Sequence, residues 1–369
     1  ALQRLDLFSE KTSSYNSTPV VVGYEQNLFG YNQFKWDKKI EPIRYVESQK
    51  NLVETLELVA AQATQQFFRL ATAQTNWEIA QYNYANADTL FQYAKGRYNI
   101  GTITENEMLQ LELNLLTEQT NMMNARIEVD DCIQSLRSYL GINNASELVA
   151  DVNEEIPHFN VDVKQALGLA YENNPEPEYL QRRRLESESA VAQAKASRGF
   201  KADLYMQFGL TQTNEKLKEA YRNPLDQQLV SLGIRIPILD WGVGKGKVKV
   251  ALSNRDKVYT EVEQSRNDFE LNVIKMVKQF NLQADKVTIA QKTDLTAQRR
   301  NDVAQKLYLL GKSTILDLNA SISEKDRARR EYITALYNYW SLYYGLRSMT
   351  GYDFEKSREL TFDYEQLMK

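Results

Sequence analysis

The chain has 369 residues, 43% hydrophobic and 25% charged, and its net charge of −4 argues against nucleic acid as the main partner, because a phosphate backbone is met by a basic surface. One cysteine, Cys132, excludes an internal disulfide and a cysteine-rich metal site, and one histidine, His158, leaves little room for histidine chemistry. No run of about 18 apolar residues supplies a transmembrane helix, which leaves open a β-barrel, whose strands alternate apolar and polar residues and escape hydropathy.

Only 15 Gly and 7 Pro punctuate the chain, so long helices are expected. The start, Ala1-Leu2-Gln3, lacks the basic-then-apolar pattern of a secretory leader. The first element is a strand over 18–31. Within it Val20, Val22, Tyr24 and Leu28 alternate with Val21, Gly23, Glu25 and Asn27, and Gln26 interrupts the apolar side. A helix is predicted over 33–98, with Pro42 near its start as its only proline. At 1.5 Å per residue it spans on the order of 100 Å, far beyond a globular helix. Its narrow stripe, Leu56, Ala63, Phe67, Leu70 and Ala80, suits side-by-side helix packing. A turn at 99–103 follows, in which Gly101 after Tyr98 supplies the left-handed cap conformation. A return helix runs over 104–140 and places Cys132 in the core beside Val129 and Leu136.

The segment 142–163 is polar, with Asp151, Glu154 and Glu155 solvated and His158 on the surface. Helices occupy 164–197. Strands at 201–213 and 227–239 form a hairpin around a polar loop, 214–226, that contains Asn223-Pro224. On the first strand Ala202, Leu204, Met206, Phe208 and Leu210 share a face, and on the second Val230, Leu232, Ile234, Ile236 and Ile238 do, with Ser231, Gly233 and Arg235 opposite. A second long helix, 243–310, has no proline and carries the stripe Val273, Val277, Phe280, Ala284, Val287, Ala290 and Ala297. A turn at 311–314 with Tyr308, Gly311 and Lys312, a return helix over 315–350 and a tail over 352–369 complete the chain.

The two halves repeat without gaps at an offset of 210. Leu136-Arg137-Ser138 with Gly141 matches Leu346-Arg347-Ser348 with Gly351; Tyr98 and Gly101 match Tyr308 and Gly311; Ile79-Ala80-Gln81 matches Ile289-Ala290-Gln291; Gly23 matches Gly233. One register holds over roughly 120 residues, which heptad noise would not produce. Repeat 1 is then 1–141 and repeat 2 is 164–351, and 142–163 and 352–369 lie outside the repeat, at mid-height where the return helices end. Ala1 corresponds to Thr211, inside the second unit, so more residues are expected before Ala1 in the natural protein, including any leader. Three strands cannot close a barrel. They either cover a helical core or pool with other subunits.

Two units of strand, long helix, glycine turn and return helix resemble the TolC-like outer-membrane efflux family. The residues that carry the resemblance are Ile236-Pro237-Ile238-Leu239-Asp240-Trp241-Gly242 at the strand end, with Asn27-Leu28-Phe29-Gly30 as its first-repeat equivalent. The turns Arg97-Tyr98-Asn99-Ile100-Gly101 and Leu307-Tyr308-Leu309-Leu310-Gly311, each with an acid six positions after the glycine (Glu107 and Asp317), complete it. The resemblance implies a mainly α fold with a few β-strands. Three protomers each give four strands to one twelve-stranded outer-membrane barrel, and their helices form a periplasmic tube. The fourth strand is then expected before Ala1, and 142–163 and the tail become equatorial. The implied function is a passive exit duct. Its partners are two further copies, a periplasmic adaptor protein, an inner-membrane pump and outer-membrane lipid.

In that reading Val230, Leu232, Ile234, Ile236, Leu204, Met206 and Phe208 face lipid, Glu25 and Arg235 face the lumen, and Tyr31, Trp36 and Trp241 are interfacial aromatics or ordinary joint packing. Gly101, Gly311, Tyr98 and Tyr308 shape the tips. Asp317 is a gate carboxylate of a three-fold acidic ring, a helix cap, or both, and Glu107 is its counterpart. The second aspartate of familiar members is Ala320 here and the basic residue two after the glycine is Ser313, which leaves Lys312 as the available latch cation. No nucleophile–base pair, phosphate loop or metal spacing is found, so no catalytic, cofactor or metal residue is assigned. The rival reading is a structural coiled-coil scaffold of the cell envelope, which has no reason for one-sided apolar strands.

Overall fold

The structure, a computed structural model, describes residues 2–4, 14–28, 30–142, 148–235 and 240–361. Its elements are β1 (Leu2–Arg4), β2 (Ser14–Asn27), α1 (Gln33–Asn99), α2 (Glu105–Leu140), α3 (Val163–Asn173), α4 (Glu176–Arg198), β3 (Lys201–Asn214), β4 (Leu225–Arg235), α5 (Val243–Leu309), α6 (Ile315–Thr350), β5 (Tyr352–Asp353) and β6 (Arg358–Glu359). Among the described residues the chain is mostly helix with few strands. The long helices α1 and α5 have 67 residues each, and the return helices α2 and α6 have 36 each.

Several boundaries differ from those expected from the sequence. The strand placed at 18–31 is Ser14–Asn27: alternation marks its apolar half, but Tyr15, Asn16 and Ser17 also pair with β3. Three residues of a fourth strand, which was expected before Ala1, lie inside the chain as β1. At the repeat offset it corresponds to Gln212–Asn214, the end of β3, and three residues are too few for a periodic signal. The tail holds a two-stranded ribbon, β5 with β6, for which the sequence carries no periodic signal. Ile236 and the rest of 236–239, with Phe29, fall outside the described residues, as does the side chain of Arg235. The stretch 164–197 is interrupted at Asn174, which is extended (φ −79°, ψ 144°) because Pro175 follows.

The chain divides into two compact units, 1–47 with 176–267 and 48–175 with 268–369. Each draws on both repeats, so the compact bodies cut across the duplication. In the first unit the sheet order is β1-β2-β3-β4, antiparallel throughout. The β2–β3 register shifts between Ser17 and Val20, where Pro19 has no N–H to offer the ladder. The Ser17 hydroxyl donates to the carbonyl of Ala220, in a short 3-10 turn, Glu219–Tyr221, between β3 and β4. Helices α1, α4 and α5 are tied by ion pairs: Arg182 to Glu47 at 2.6 Å and Glu186 at 2.8 Å, and Arg183 to Glu261 at 2.9 Å.

The second unit holds the core. Val273, Val277 and Phe280 of α5 pack on Tyr332, Leu336, Tyr339, Tyr343 and Leu346 of α6, with Phe68 of α1 and Ala166 and Ala170 of α3. A smaller cluster joins Leu70 and Ala73 to Val129, Cys132 and Leu136, which seats Cys132 in the core. His158 is exposed. Leu56, assigned to the α1 stripe, is exposed instead; the buried neighbour is Glu57, held by Arg347 at 2.8 Å. Arg347 also pairs with Asp353 at 3.4 Å, which anchors the tail ribbon.

Candidate functional site

The first surface is the sheet. In an antiparallel ladder, opposed residues share a face. The register opposes Val22 to Phe208, Tyr24 to Met206, Gln26 to Leu204, Leu204 to Leu232, Met206 to Val230 and Ala202 to Ile234. The residues assigned to lipid therefore gather on one face, except Ile236, which is not described. Val230 at 65% and Ile234 at 60% are exposed, as are Val20, Val22, Phe208 and Leu232. Glu25, Gly23, Tyr205, Gln207, Asp203, Ser231 and Gly233 share the other face, and the backbone of Arg235 lies in register with Lys201. Among the described residues β4 pairs only with β3, which leaves its other edge open.

Beyond the strands, Asp240 organises the entry to α5. Its carboxylate accepts from the N–H groups of Gly242 at 3.0 Å and Gly244 at 2.9 Å, and these bonds hold it below the usual carboxylate range. Trp241 adopts φ +51°, rare for an aromatic residue, and projects with 89% of its surface exposed. Trp36 is half-buried with the Lys39 Nζ 5.1 Å above its ring, and Tyr31 Oη lies 2.6 Å from Ser189 Oγ. Trp241 is thus exposed, and Tyr31 and Trp36 are half-buried.

The second surface is the pair of helix tips. Gly101 (φ +75°) and Gly311 (φ +71°) close them. The Gly101 N–H donates to Tyr98 O and the Thr102 N–H to Arg97 O; Gly311 and Lys312 do the same to Tyr308 O and Leu307 O, all at 2.9 Å. This bond pair is a Schellman cap, and the left-handed residue it needs is cheapest as glycine. Thr104 and Thr314 then open the return helices as N-caps boxed with Glu107 and Asp317. Asp317 Oδ2 accepts from Thr314 Oγ1 at 2.7 Å and Ser313 Oγ at 3.4 Å, which lowers its proton affinity, the Thr314 bonds chiefly. Glu107 Oε2 accepts from the Thr104 N–H at 2.9 Å. Both acids are engaged as caps. Lys312 makes no ion pair among the described residues, and Ser313 occupies the bonding position beside Asp317.

The tips are packed together by Leu90, Phe91 and Ala94 of α1, Leu111 of α2 and Leu318 of α6, with Tyr308 half-buried against them. Burial raises the Tyr308 phenol. Tyr98 remains exposed. Sequence reasoning missed Tyr93, whose hydroxyl donates to Leu309 O at 3.1 Å and joins one hairpin to the other's tip. It also missed a buried polar layer: Asn83 donates to Asp326 at 2.6 Å, Arg329 pairs with Asp294 at 3.2 Å, and Ser321 donates to Asn301 at 3.2 Å.

The third surface is helical. On α2, Leu109, Leu113, Leu116, Met123 and Ile127 are exposed at heptad spacing, and on α5 Leu282, Ile289 and Val303 recur at multiples of seven. Such stripes mark helices that pack against further helices.

Residues 2–142 and 166–352 match the family model described as outer membrane efflux protein. The chain belongs to the outer membrane efflux protein family. Its place is the outer membrane. It is 23% identical over 289 residues to outer membrane protein TolC of Escherichia coli (strain K12); the match takes in 74% of this chain and 58% of that protein, so the chain spans little more than half the length of this curated relative. Its fold matches the Campylobacter jejuni CmeC outer membrane channel with a TM-score of 0.73 at 14% identity, over 97% of this chain and 75% of that one. It matches VceC of Vibrio cholerae with a TM-score of 0.72 at 12% identity, over 95% and 84% of the two chains. Both of its tips carry boxed caps, and among the described residues no cation is bonded to Glu107 or Asp317.

Proposed function

We propose that this chain is one protomer of a passive exit duct, not an enzyme, in a tripartite efflux or type I secretion assembly. The observation that carries the reading is the four-stranded sheet with an uncovered apolar face and an open β4 edge. A soluble protein protects such an edge, and a barrel removes it. Pooling strands from three copies closes the sheet, turns Val230, Leu232, Ile234, Leu204, Met206 and Phe208 to outer-membrane lipid, and leaves Glu25 and Arg235 toward the lumen. The exposed stripes of α2 and α5 supply the helical contacts of the same homotrimer. The two capped tips of each protomer meet a periplasmic adaptor protein, and an inner-membrane pump provides the energy. Asp317 from three protomers forms an acidic ring that favours cations, with its capping role retained.

Reconstitution in a planar bilayer tests this. The expected result is a stepwise, ohmic conductance from a trimeric species. A protein that stays water-soluble without detergent and never conducts would be the envelope scaffold instead.

A further inference from the structure

The segments where the sheet meets the helices of its unit are rich in cations. Segments 33–39, 195–201 and 240–249 carry Lys35, Lys38, Lys39, Lys195, Arg198, Lys201, Lys245, Lys247 and Lys249, against only Asp37 and Asp240. The chain as a whole is net −4, so this is a local reversal of charge. None of these nine forms an ion pair among the described residues, and all but Lys201 are exposed. Asp240 is bonded to the backbone at the entry to α5 and has the charge of Arg198 beside it.

One feature makes the arrangement costly for the protein alone. α1 and α5 have no acidic residue in their first turns, where Lys35 and Lys245 stand. A cation there opposes the positive end of the helix dipole. Exposed aromatics are interleaved with the cations: Trp241 at 89%, Phe34 at 82%, and Phe200. The collar continues directly from the apolar face that ends at Ala202 and Ile234. Amphipathic rings beside lysines at the edge of an apolar band are the chemistry of a membrane interface that carries negative headgroups.

We propose that this collar binds anionic phospholipid headgroups of the periplasmic leaflet, with lysines on the phosphates and Trp241 and Phe34 among the upper acyl carbons. The inference rests on the barrel reading above. Protein reconstituted in phosphatidylcholine bilayers with a minor share of phosphatidylglycerol tests it, with one or the other lipid brominated to quench tryptophan. Brominated phosphatidylglycerol should quench Trp241 and Trp36 as a lipid bound roughly two- to fivefold more strongly than phosphatidylcholine, and about half-molar salt should erase that preference. Replacing Lys35, Lys38, Lys39, Lys245, Lys247 and Lys249 with Gln should bring the ratio to unity. A control with Lys275, Lys278, Lys286, Lys292, Lys306 and Lys312 replaced by Gln should keep it. Equal quenching of the unaltered protein by both lipids, or a preference that survives salt or the collar substitutions, overturns the proposal and leaves the barrel intact. Quenching by neither lipid removes the barrel reading and the proposal together.

Discussion

The return helices α2 and α6 are the same element twice, and they differ in which side is wet. Each has 36 residues, opens on a boxed threonine cap and ends on a left-handed glycine, Gly141 or Gly351. Yet α2 buries four residues, Leu111, Val129, Cys132 and Leu136, and α6 buries thirteen, three of them tyrosines. The positions tell why. Exposed Leu116 stands where α6 has buried Asp326, exposed Met123 where it has buried Ile333, and exposed Leu113 where it has Ser323. Duplication preserves the backbone and its caps, while side-chain divergence has turned one helix inward and left the other with an apolar stripe facing out. An inward stripe stabilises the chain itself; an outward one has value only against another surface.

The largest test of that contrast lies in the core. Tyr339→Ala should cost about 3–5 kcal/mol, because the ring is fully buried against Phe280 and Trp340. Its counterpart Val129→Ala, also buried but smaller, should cost roughly 1–2 kcal/mol. Guanidinium unfolding in detergent reads both. Equal costs would mean that the two helices are equivalent after all.

The sheet is a second outward apolar surface and sharpens the point. Val230→Lys, at the middle of β4, should destabilise the assembled barrel by about 2–4 kcal/mol, and Ser231→Lys by roughly 0–1 kcal/mol. Thermal dissociation of the trimer in lipid measures the difference. Equal tolerance at the two sites would remove the assignment of faces.

The outward stripe of α2 predicts a smaller effect of another kind. Leu113→Asp with Leu116→Asp should weaken self-association about tenfold or more by desolvating charge at an apolar contact, with the unfolding of a single chain unchanged. Ser323→Asp, the counterpart of the first, should change neither. Sedimentation equilibrium separates the cases, and unaltered association of the double variant would mean that the stripe meets nothing.

Much of the fold is legible in the order of residues alone. Period-2 alternation exposes Val230, Leu232 and Ile234 because a one-sided strand has no other way to be written, and the glycines of the tips stand out because a left-handed cap tolerates few other residues. What stays hidden has physical reasons as well. β1 is three residues long and the polar start of β2 carries no alternation. Asp326 and Asp294 look like surface residues in helices of mixed composition, and the positions of Asn83, Lys325 and Arg329 make their burial tolerable. The heptads of α2 are visible in the sequence, but whether a stripe faces in or out depends on which helices fold against it. The roles of Glu107 and Asp317 as caps are readable from Thr104 and Thr314 three residues earlier.

The two tips give the finest test, because there the repeats agree. Thr314→Ala should cost about 1 kcal/mol, as should Thr104→Ala, since each removes the oxygen that accepts from its return helix. Asp317 has its proton affinity lowered by Thr314 relative to the ordinary 3.8. Its contribution is therefore fully present above that ordinary value and is lost as pH falls through the lower folded value. The stability gap between the unaltered protein and Asp317→Ala should be constant near neutral pH and close in the acid range below about 4; a gap that opens on acidification would contradict the hydrogen bonds to Thr314 and Ser313. Conductance then divides the two roles. If the carboxylates of three protomers converge, Asp317→Ala lowers cation selectivity and any cation block in reconstituted channels while the trimer persists. If selectivity and block are unchanged and only the stability gap near neutral pH appears, Asp317 is a helix cap alone.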